Sequence, residues 1–513
     1  MKKSTLLMGI FVVALVLSLS PGVLAVQSEK ATYVGDSACS ACHNPVHTAW
    51  SNTTHGQFVK DLSKDPKAFG GDLSGKNPKM VNFTADDLQF ALLGKPGLLK
   101  VQELVGKKGA FGVPADDYPV LWASWNFGNK EWEIETEGIG EGTPWLSTCA
   151  GCHVTDLKVP TDKNPNVARS FSGLGITCEQ CHGPASEHVA GPSKSNIVTS
   201  LSAENCGQCH TRGASVAKKP DGKPFGYPYN DKGQYKPGAV LADYYTSSTP
   251  QGSPKDWWPT GNARNSHHMQ YPEWLLSPHA KTLDTLKKND HASDACLSCH
   301  SAEGNLAKDA KVKMADAKQG VTCQVCHDSH GPDGRPGLLR RSREESCATC
   351  HTAGKVAVGS TPHHTQKELT LGIGGVGVAN AGPSEMYKAG VTCVDCHMPK
   401  TMGEKRSHLM RVVLPSEGKK YNMPDSCSSC HPGASQDYLQ ARMDKWQGDV
   451  KAQLASTKAR IDKLAAKYAK NKTYQEAKLN YEIVVSDKSN GVHNYDYAMA
   501  LLTAANKKLD TLK

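Results

Sequence analysis

All 18 cysteines of this 513-residue chain fall in nine Cys-x-x-Cys-His motifs, and none is left over. The cysteine pairs are Cys39/Cys42, Cys149/Cys152, Cys178/Cys181, Cys206/Cys209, Cys296/Cys299, Cys323/Cys326, Cys347/Cys350, Cys393/Cys396 and Cys427/Cys430. The histidines that follow them are His43, His153, His182, His210, His300, His327, His351, His397 and His431. In this spacing two thioethers attach one c-type haem, and the adjacent imidazole is placed to bind its iron. A disulfide framework has no need of two-residue spacing every time, and a zinc site needs no histidine directly after each second cysteine. The expected cofactors are therefore nine covalently bound haems c.

Residues 1–25 read as a cleavable secretory signal: Lys2 and Lys3, an apolar run from Leu6 to Leu19, then Val23-Leu24-Ala25. The run is short for a bilayer span, so no membrane span is expected in the mature chain. A periplasmic, secreted or outer-surface protein is expected, which suits a cofactor attached outside the cytoplasm. Removal of the leader leaves about 54 residues per motif, too few for a separate apolar core around each cofactor. The haems must then form much of the core. The formal charge of +9 falls to +7 without Lys2 and Lys3. Nine haems bring propionates worth on the order of −18, so the basic balance does not argue for nucleic acid. A basic cluster with interleaved aromatics is also missing.

The motifs repeat in groups. Cys149, Cys178 and Cys206 form one triplet and Cys296, Cys323 and Cys347 another; each middle member follows Gly-(Ile/Val)-Thr. A shortened third unit has Gly390-Val391-Thr392 before Cys393 and then Cys427, and Cys39 stands alone at the front. This is internal duplication of a packing module.

Residues 26–435 are read as the nine-haem domain. It carries a haem-free insertion at about 60–145, in which Tyr118–Trp125 and Lys130–Thr136 flank Gly128-Asn129 as a small β-hairpin. The gap from Thr211 to Ala295 reads as an ordered loop, because Trp257, Trp258, Tyr271 and Trp274 call for burial. Residues 436–513 change character: Leu439, Met443, Trp446, Val450, Leu454, Ile461, Leu464 and Tyr468 draw one apolar stripe on a long helix. Lys470-Asn471-Lys472 is a bend in its continuation, and Asn494 is a cap for a last helix through Leu509. The stripe packs on the haem domain or, alternatively, pairs subunits into a homo-oligomer. The expected fold class is mainly α with large loop content.

Twelve of the 21 histidines lie outside the motifs, enough for a second axial ligand at each iron. Trp50-x-x-x-x-His55 and Trp274-x-x-x-x-His279 share a spacing, and Thr361-Pro362-His363 resembles Ser277-Pro278-His279. His188, His330 and His408 follow middle-type motifs, and His493 opens the last helix. These seven are preferred as distal ligands, then His268 and His291. The choices between His267 and His268, and between His363 and His364, stay open; His47 is taken as a spectator. Met398 is a weaker thioether alternative.

Several strings, among them Cys178-Glu-Gln-Cys181-His182-Gly-Pro-Ala-Ser-Glu-His188, His268-Met-Gln-Tyr-Pro-Glu-Trp274, Cys393-Val-Asp-Cys396-His397-Met-Pro and Gly491-Val-His493-Asn, resemble the multihaem cytochromes c of one broad superfamily. That superfamily contains pentahaem nitrite reductases, octahaem hydroxylamine oxidoreductases and octahaem tetrathionate reductases. The resemblance spans nearly the whole mature chain. It implies haem pairs in parallel and perpendicular stacking, a helical C-terminal part, distal ligation by His188, His268, His408 and His493, and a Ca²⁺ ion. The Cys-x-x-Cys-Lys motif usual at the catalytic haem of pentahaem nitrite reductases is missing here.

Two functions follow. One is an electron carrier whose bis-histidine haems pass electrons from a quinol-linked or periplasmic donor to a periplasmic or outer-membrane acceptor. The other is a reductase of nitrite, hydroxylamine or tetrathionate at one open haem. The histidine surplus favours the carrier, and no catalytic residue is assigned.

Overall fold

The computed structural model describes residues 30–74, 81–92, 101–134, 140–265, 268–307, 311–331, 334–378, 382–403 and 405–512. The expected leader, 1–25, and His267 lie outside them. The first helix, α1 (Asp36–Ser51), already carries a motif. Pro45 lies inside it, and the backbone leaves helical geometry at His43, where proline removes a donor and crowds the preceding turn.

Eight strands follow: β1 (Val59–Asp61), β2 (Leu88–Leu92), β3 (Val101–Gln102), β4 (Leu104–Gly106), β5 (Pro119–Val120), β6 (Ala123–Asn126), β7 (Glu131–Ile134) and β8 (Thr143–Pro144). They make an antiparallel five-stranded sheet in the order β1-β2-β4-β5-β8 and a three-stranded sheet in the order β3-β6-β7. The hairpin around Gly128-Asn129 pairs Trp125 with Trp132, so the segment expected as a lone hairpin is one corner of a larger β-layer. Phe83, Ala91, Leu104 and Trp122 fill its core, all essentially inaccessible.

The opposite face of the five-stranded sheet lies against α2 (Trp145–Thr148). Phe90, Leu92 and Val105 pack there with Trp145, Leu146 and, from farther along, Phe225 and Tyr227. Asp117 fixes the start of α2: its buried carboxylate accepts from the Leu146 amide at 2.8 Å and the Ser147 hydroxyl at 2.8 Å, and Arg169 Nε stands 3.2 Å away. The sheet thereby sets the motif at Cys149.

From there to residue 435 the helices are short, as in α3 (Cys178–His182), α4 (Gln270–Leu276), α5 (Cys323–Cys326) and α6 (Cys393–His397). Among the described residues between the motifs at Cys206 and Cys296, Tyr235, Tyr244, Tyr245, Trp257 and Tyr271 are buried and Trp258 and Trp274 half-buried.

The C-terminal part is a bundle of α7 (Gln436–Tyr468), α8 (Lys472–Asp487) and α9 (Tyr495–Asp510). The helix breaks where Asn471 caps α8, and Asn494 caps α9 by accepting from the Tyr497 amide at 3.1 Å. The α7 stripe turns onto its own chain: Val450 and Leu454 meet Ile483, Leu501 and Leu502, while Ile461 meets Tyr474, Ala505 and Leu509. Trp446 stacks on Tyr495 with ring centroids 6.0 Å apart. Leu369 joins this core and Thr365 Oγ1 donates to the Ile483 carbonyl at 2.6 Å, which pins the bundle to the motif region. Among the described residues no helix is long and apolar enough to cross a membrane.

Candidate functional site: a histidine-lined cavity

A Cys-x-x-Cys-His turn in helical conformation brings positions i, i+3 and i+4 to one face, so both sulfurs and the imidazole point the same way. In α3, α5 and α6 a threonine (Thr177, Thr322, Thr392) stands at the cap position. At Thr392 the cap is reciprocal, with the threonine amide and hydroxyl donating to Asp395 at 2.8 and 2.7 Å. The glycine ahead of Thr322 has its own reason: a Cβ on Gly320 would come within 2.9 Å of the His279 carbonyl oxygen.

These turns line a cavity of about 2100 Å³ that runs through the motif region. That is well beyond the about 300–1,000 Å³ of a small-molecule pocket. All 18 cysteines are free of disulfides, and only Cys42 and Cys430, in the first and last motifs, are exposed. Burial raises the Cys149, Cys178 and Cys181 thiols to about 12, so they are not reactive thiolates.

The sulfurs mark which motifs adjoin. The thiols of Cys39 and Cys178, of Cys206 and Cys323, and of Cys347 and Cys393 are close neighbours. Cys181 lies within electrostatic reach of Cys206, Cys326 of Cys347, and Cys396 of Cys427 and Cys430. The first motif of each triplet meets the third through equivalent sulfurs, Cys152 to Cys209 and Cys299 to Cys350. The internal repeat is therefore also a repeat of contacts. One unbroken series runs from the motif at Cys39 to the motif at Cys427, with the motifs at Cys149 and Cys296 as side branches.

Seven motif histidines face a histidine from elsewhere in the chain. His43 faces His188 with centroids 6.4 Å apart and His182 faces His330 at 6.1 Å, the ring planes within 19° and 13° of parallel. The separations are 6.4 Å for His327 with His408, 6.1 Å for His397 with His493 and 6.2 Å for His351 with His279. His210 has two such neighbours, His55 at 6.3 Å and His268 at 6.5 Å. His364 stands 5.9 Å from both His300 and His351, while His363 lies beside His364 at 4.8 Å. Two imidazoles on opposite sides of one metal, with metal–nitrogen bonds of about 2 Å, have centroids about 6.3 Å apart. The residues present thus fit a haem iron between each of the seven motif histidines and one partner.

Burial lowers His55, His279, His364, His397 and His408 to about 4, which leaves each imidazole neutral, with a lone pair, at neutral pH. The remaining histidines differ. Phe58 and Trp145 pack on His153 at 4.8 and 6.2 Å. His431 is exposed, as is His291, and among the described residues neither ring stacks on another histidine. His47 stands 3.4 Å from Asp36 and 5.6 Å from the Trp50 ring. Met398 lines the cavity. Among the described residues no three His, Cys, Asp or Glu side chains converge as an isolated metal ion would require.

The order of exchange was not readable from spacing. His188 follows the motif at Cys178 but faces His43; His330 follows the motif at Cys323 but faces His182; His408 follows the motif at Cys393 but faces His327. These three hand a histidine back to an earlier motif, whereas His55 and His279 reach forward, to His210 and His351. Sequence reasoning also missed Glu179, inside a motif, whose buried carboxylate accepts from the amides of Val34, Gly35 and Ala185 and so ties the start of α1 to α3. An acidic residue between motif cysteines was the available signal.

Three family models match successive parts of the chain: cytochrome c554 and c-prime over residues 122–183, cytochrome c7 and related cytochrome c over 284–352, and cytochrome c552 over 384–509. The crystal structure of the outer cell wall cytochrome OcwA superposes with a TM-score of 0.89 at 62% identity, covering 93% of this chain and 99% of that one. An undecahaem cytochrome from the S-layer of Carboxydothermus ferrireducens shares the fold, with a TM-score of 0.64 at 22% identity over 95% of this chain and 70% of that one. Multihaem cytochrome MtrA of Shewanella baltica (strain OS185) is 24% identical over 190 residues, which is 34% of this chain and 42% of the relative's length.

Proposed function

Because this chain belongs to the multihaem c-type cytochromes, in the family of the outer cell wall cytochrome OcwA, we propose that it is an exported nine-haem electron-transfer protein working at the cell exterior. When bound, the haems supply one-electron carriers at each motif. The chain's own residues attach them, supply imidazoles to both faces and hold neighbours in contact. The single observation that carries the reading is the set of seven histidine pairs at 5.9–6.4 Å, close to the about 6.3 Å spacing of two axial imidazoles. We assign the distal ligands His188 to the motif at Cys39, His330 to Cys178, His408 to Cys323 and His493 to Cys393. His55 goes to Cys206 and His279 to Cys347, because both lie in Trp-x-x-x-x-His. His364, in preference to His363, goes to Cys296. His268 and His291 receive no assignment.

Electrons would pass along the series of adjoining sulfurs, entering and leaving near the exposed Cys42 and Cys430. Redox partner proteins would dock at those ends. Arg340, Arg343, Lys405 and Arg406 line the cavity and suit propionates. Low-temperature electron paramagnetic resonance of the oxidised protein tests this. Low-spin, six-coordinate signals should account for at least seven haems; a predominance of high-spin signal contradicts the assignment.

A second reading, reduction of a small nitrogen or sulfur oxyanion, rests on His431, which is exposed and faces no histidine among the described residues. An iron there could take an outside ligand. Carbon monoxide binding to one reduced haem, lost on removal of Cys427 and Cys430, together with turnover of nitrite or hydroxylamine, would support it.

A further inference from the structure

The paired histidines differ in what holds their second ring nitrogen. Nδ1 of His182 meets the Val198 carbonyl at 2.7 Å, that of His327 the Gly337 carbonyl at 2.6 Å, and that of His408 the Arg406 carbonyl at 3.1 Å. His188 Nδ1 meets the Ser193 carbonyl and Asn196 Oδ1, both at 3.1 Å. All of these partners are neutral. Two histidines have a carboxylate instead: His330 meets Asp328 at 3.2 Å and His493 meets Asp487 at 2.5 Å.

The two carboxylates are not equivalent. Asp328 is partly exposed and receives Arg340 at 2.8 Å, which compensates its charge. The Asp487 side chain is wholly inaccessible, and among the described residues its ion-pair partner is His493 alone. Its other oxygen is held by the Ser489 amide at 3.0 Å and by the Ser489 hydroxyl. Asp487 ends α8 and His493 precedes α9, so the bundle delivers both the imidazole and its acceptor to the motif at Cys393.

A carboxylate that accepts a ligand imidazole's N–H gives the imidazole anionic character and makes it a stronger donor. In a site that excludes water this effect is not screened. A stronger, more anionic ligand favours the more positively charged oxidation state of iron. We propose that Asp487 is a positioning residue for electron transfer, holding the haem at Cys393 to a lower potential than its neighbours at Cys347 and Cys427. This rests on the assignment of His493 as that haem's distal ligand. The consequence is an uphill step just before the exposed last motif.

The test compares wild-type holoprotein with Asp487→Asn and Ser489→Ala by spectropotentiometric titration, haem count and electron paramagnetic resonance. Asp487→Asn should leave the number of low-spin haems as in wild type and move one titration component, one haem's share of the absorbance change, to higher potential. Ser489→Ala removes a donor from the carboxylate and leaves more charge facing His493, so the same component should move to lower potential. A structural role alone would move both variants the same way. Two unmoved titrations, shifts of one sign, or a high-spin haem in Asp487→Asn beyond those of wild type would overturn the proposal. Separately, a His493→Ala protein with no more high-spin haem than wild type, or a Cys393–His397 peptide without haem mass, defeats the ligand assignment beneath it.

Discussion

The C-terminal bundle and the motif region are built on opposite terms. In the bundle, Leu501, Leu502, Ile483 and Val450 are essentially inaccessible, and the chain runs in helices of 33, 16 and 16 residues. In the motif region the helices carrying the attachment cysteines at Cys178, Cys323 and Cys393 are 5, 4 and 5 residues long, and they face a cavity of about 2100 Å³. Side chains close one core; in the other, space is kept for a cofactor and the backbone need only reach each attachment point. Loss of a cofactor should therefore cost the motif region more than loss of an apolar side chain costs the bundle.

The largest effect expected is from Cys178→Ala with Cys181→Ala. Intact mass should fall by one haem. The visible circular dichroism of other haems should change too, because Cys39 and Cys206 adjoin this motif. Undisturbed signals from the remaining haems would break the contrast. Next come single side chains in protein-filled cores. Leu501→Ala should cost about 2–5 kcal/mol in chemical unfolding with the haem count unchanged. Asp117→Ala, which strips the start of α2 of its acceptor and leaves Arg169 without this partner, should cost about 3–5 kcal/mol.

A smaller and purely local change is expected from His188→Ala. One haem, attached at Cys39 and Cys42, should become high-spin and bind carbon monoxide while the covalent haem count holds, which fails if all signals stay low-spin. The smallest is Tyr438→Ala, at the exposed start of α7. With the stripe already turned onto α8 and α9, light scattering should give the same mass for variant and wild type, and stability should move by no more than about 0.5 kcal/mol. A change of mass would place a subunit contact at the exposed start of α7.

The same contrast decides what could be read in advance. The long helix, its break near Asn471 and the cap at Asn494 are written in local pattern, because a bundle is packed by neighbours three and four residues apart. The pairing of Trp125 with Trp132 is equally local, across Gly128-Asn129. The other strands of the β-layer are two to five residues long and pair across long connections, as Val59 does with Leu92, so alternation alone did not reveal them. The cysteines and motif histidines were legible from spacing. Their partners were not: His188 lies six residues after His182, yet it faces His43, far back in the chain. No local rule separates those two outcomes, because the choice is made by which modules stack.

The claim on which everything else depends is that every motif is a haem attachment point. It is tested most directly by the intact mass of protein exported from a host with c-type maturation, followed by peptide mapping of each motif. The account predicts a chain without residues 1–25 carrying nine covalent haems, one on each cysteine pair from Cys39/Cys42 to Cys427/Cys430. A mature protein with fewer than nine, or with any motif bearing free thiols, would contradict it.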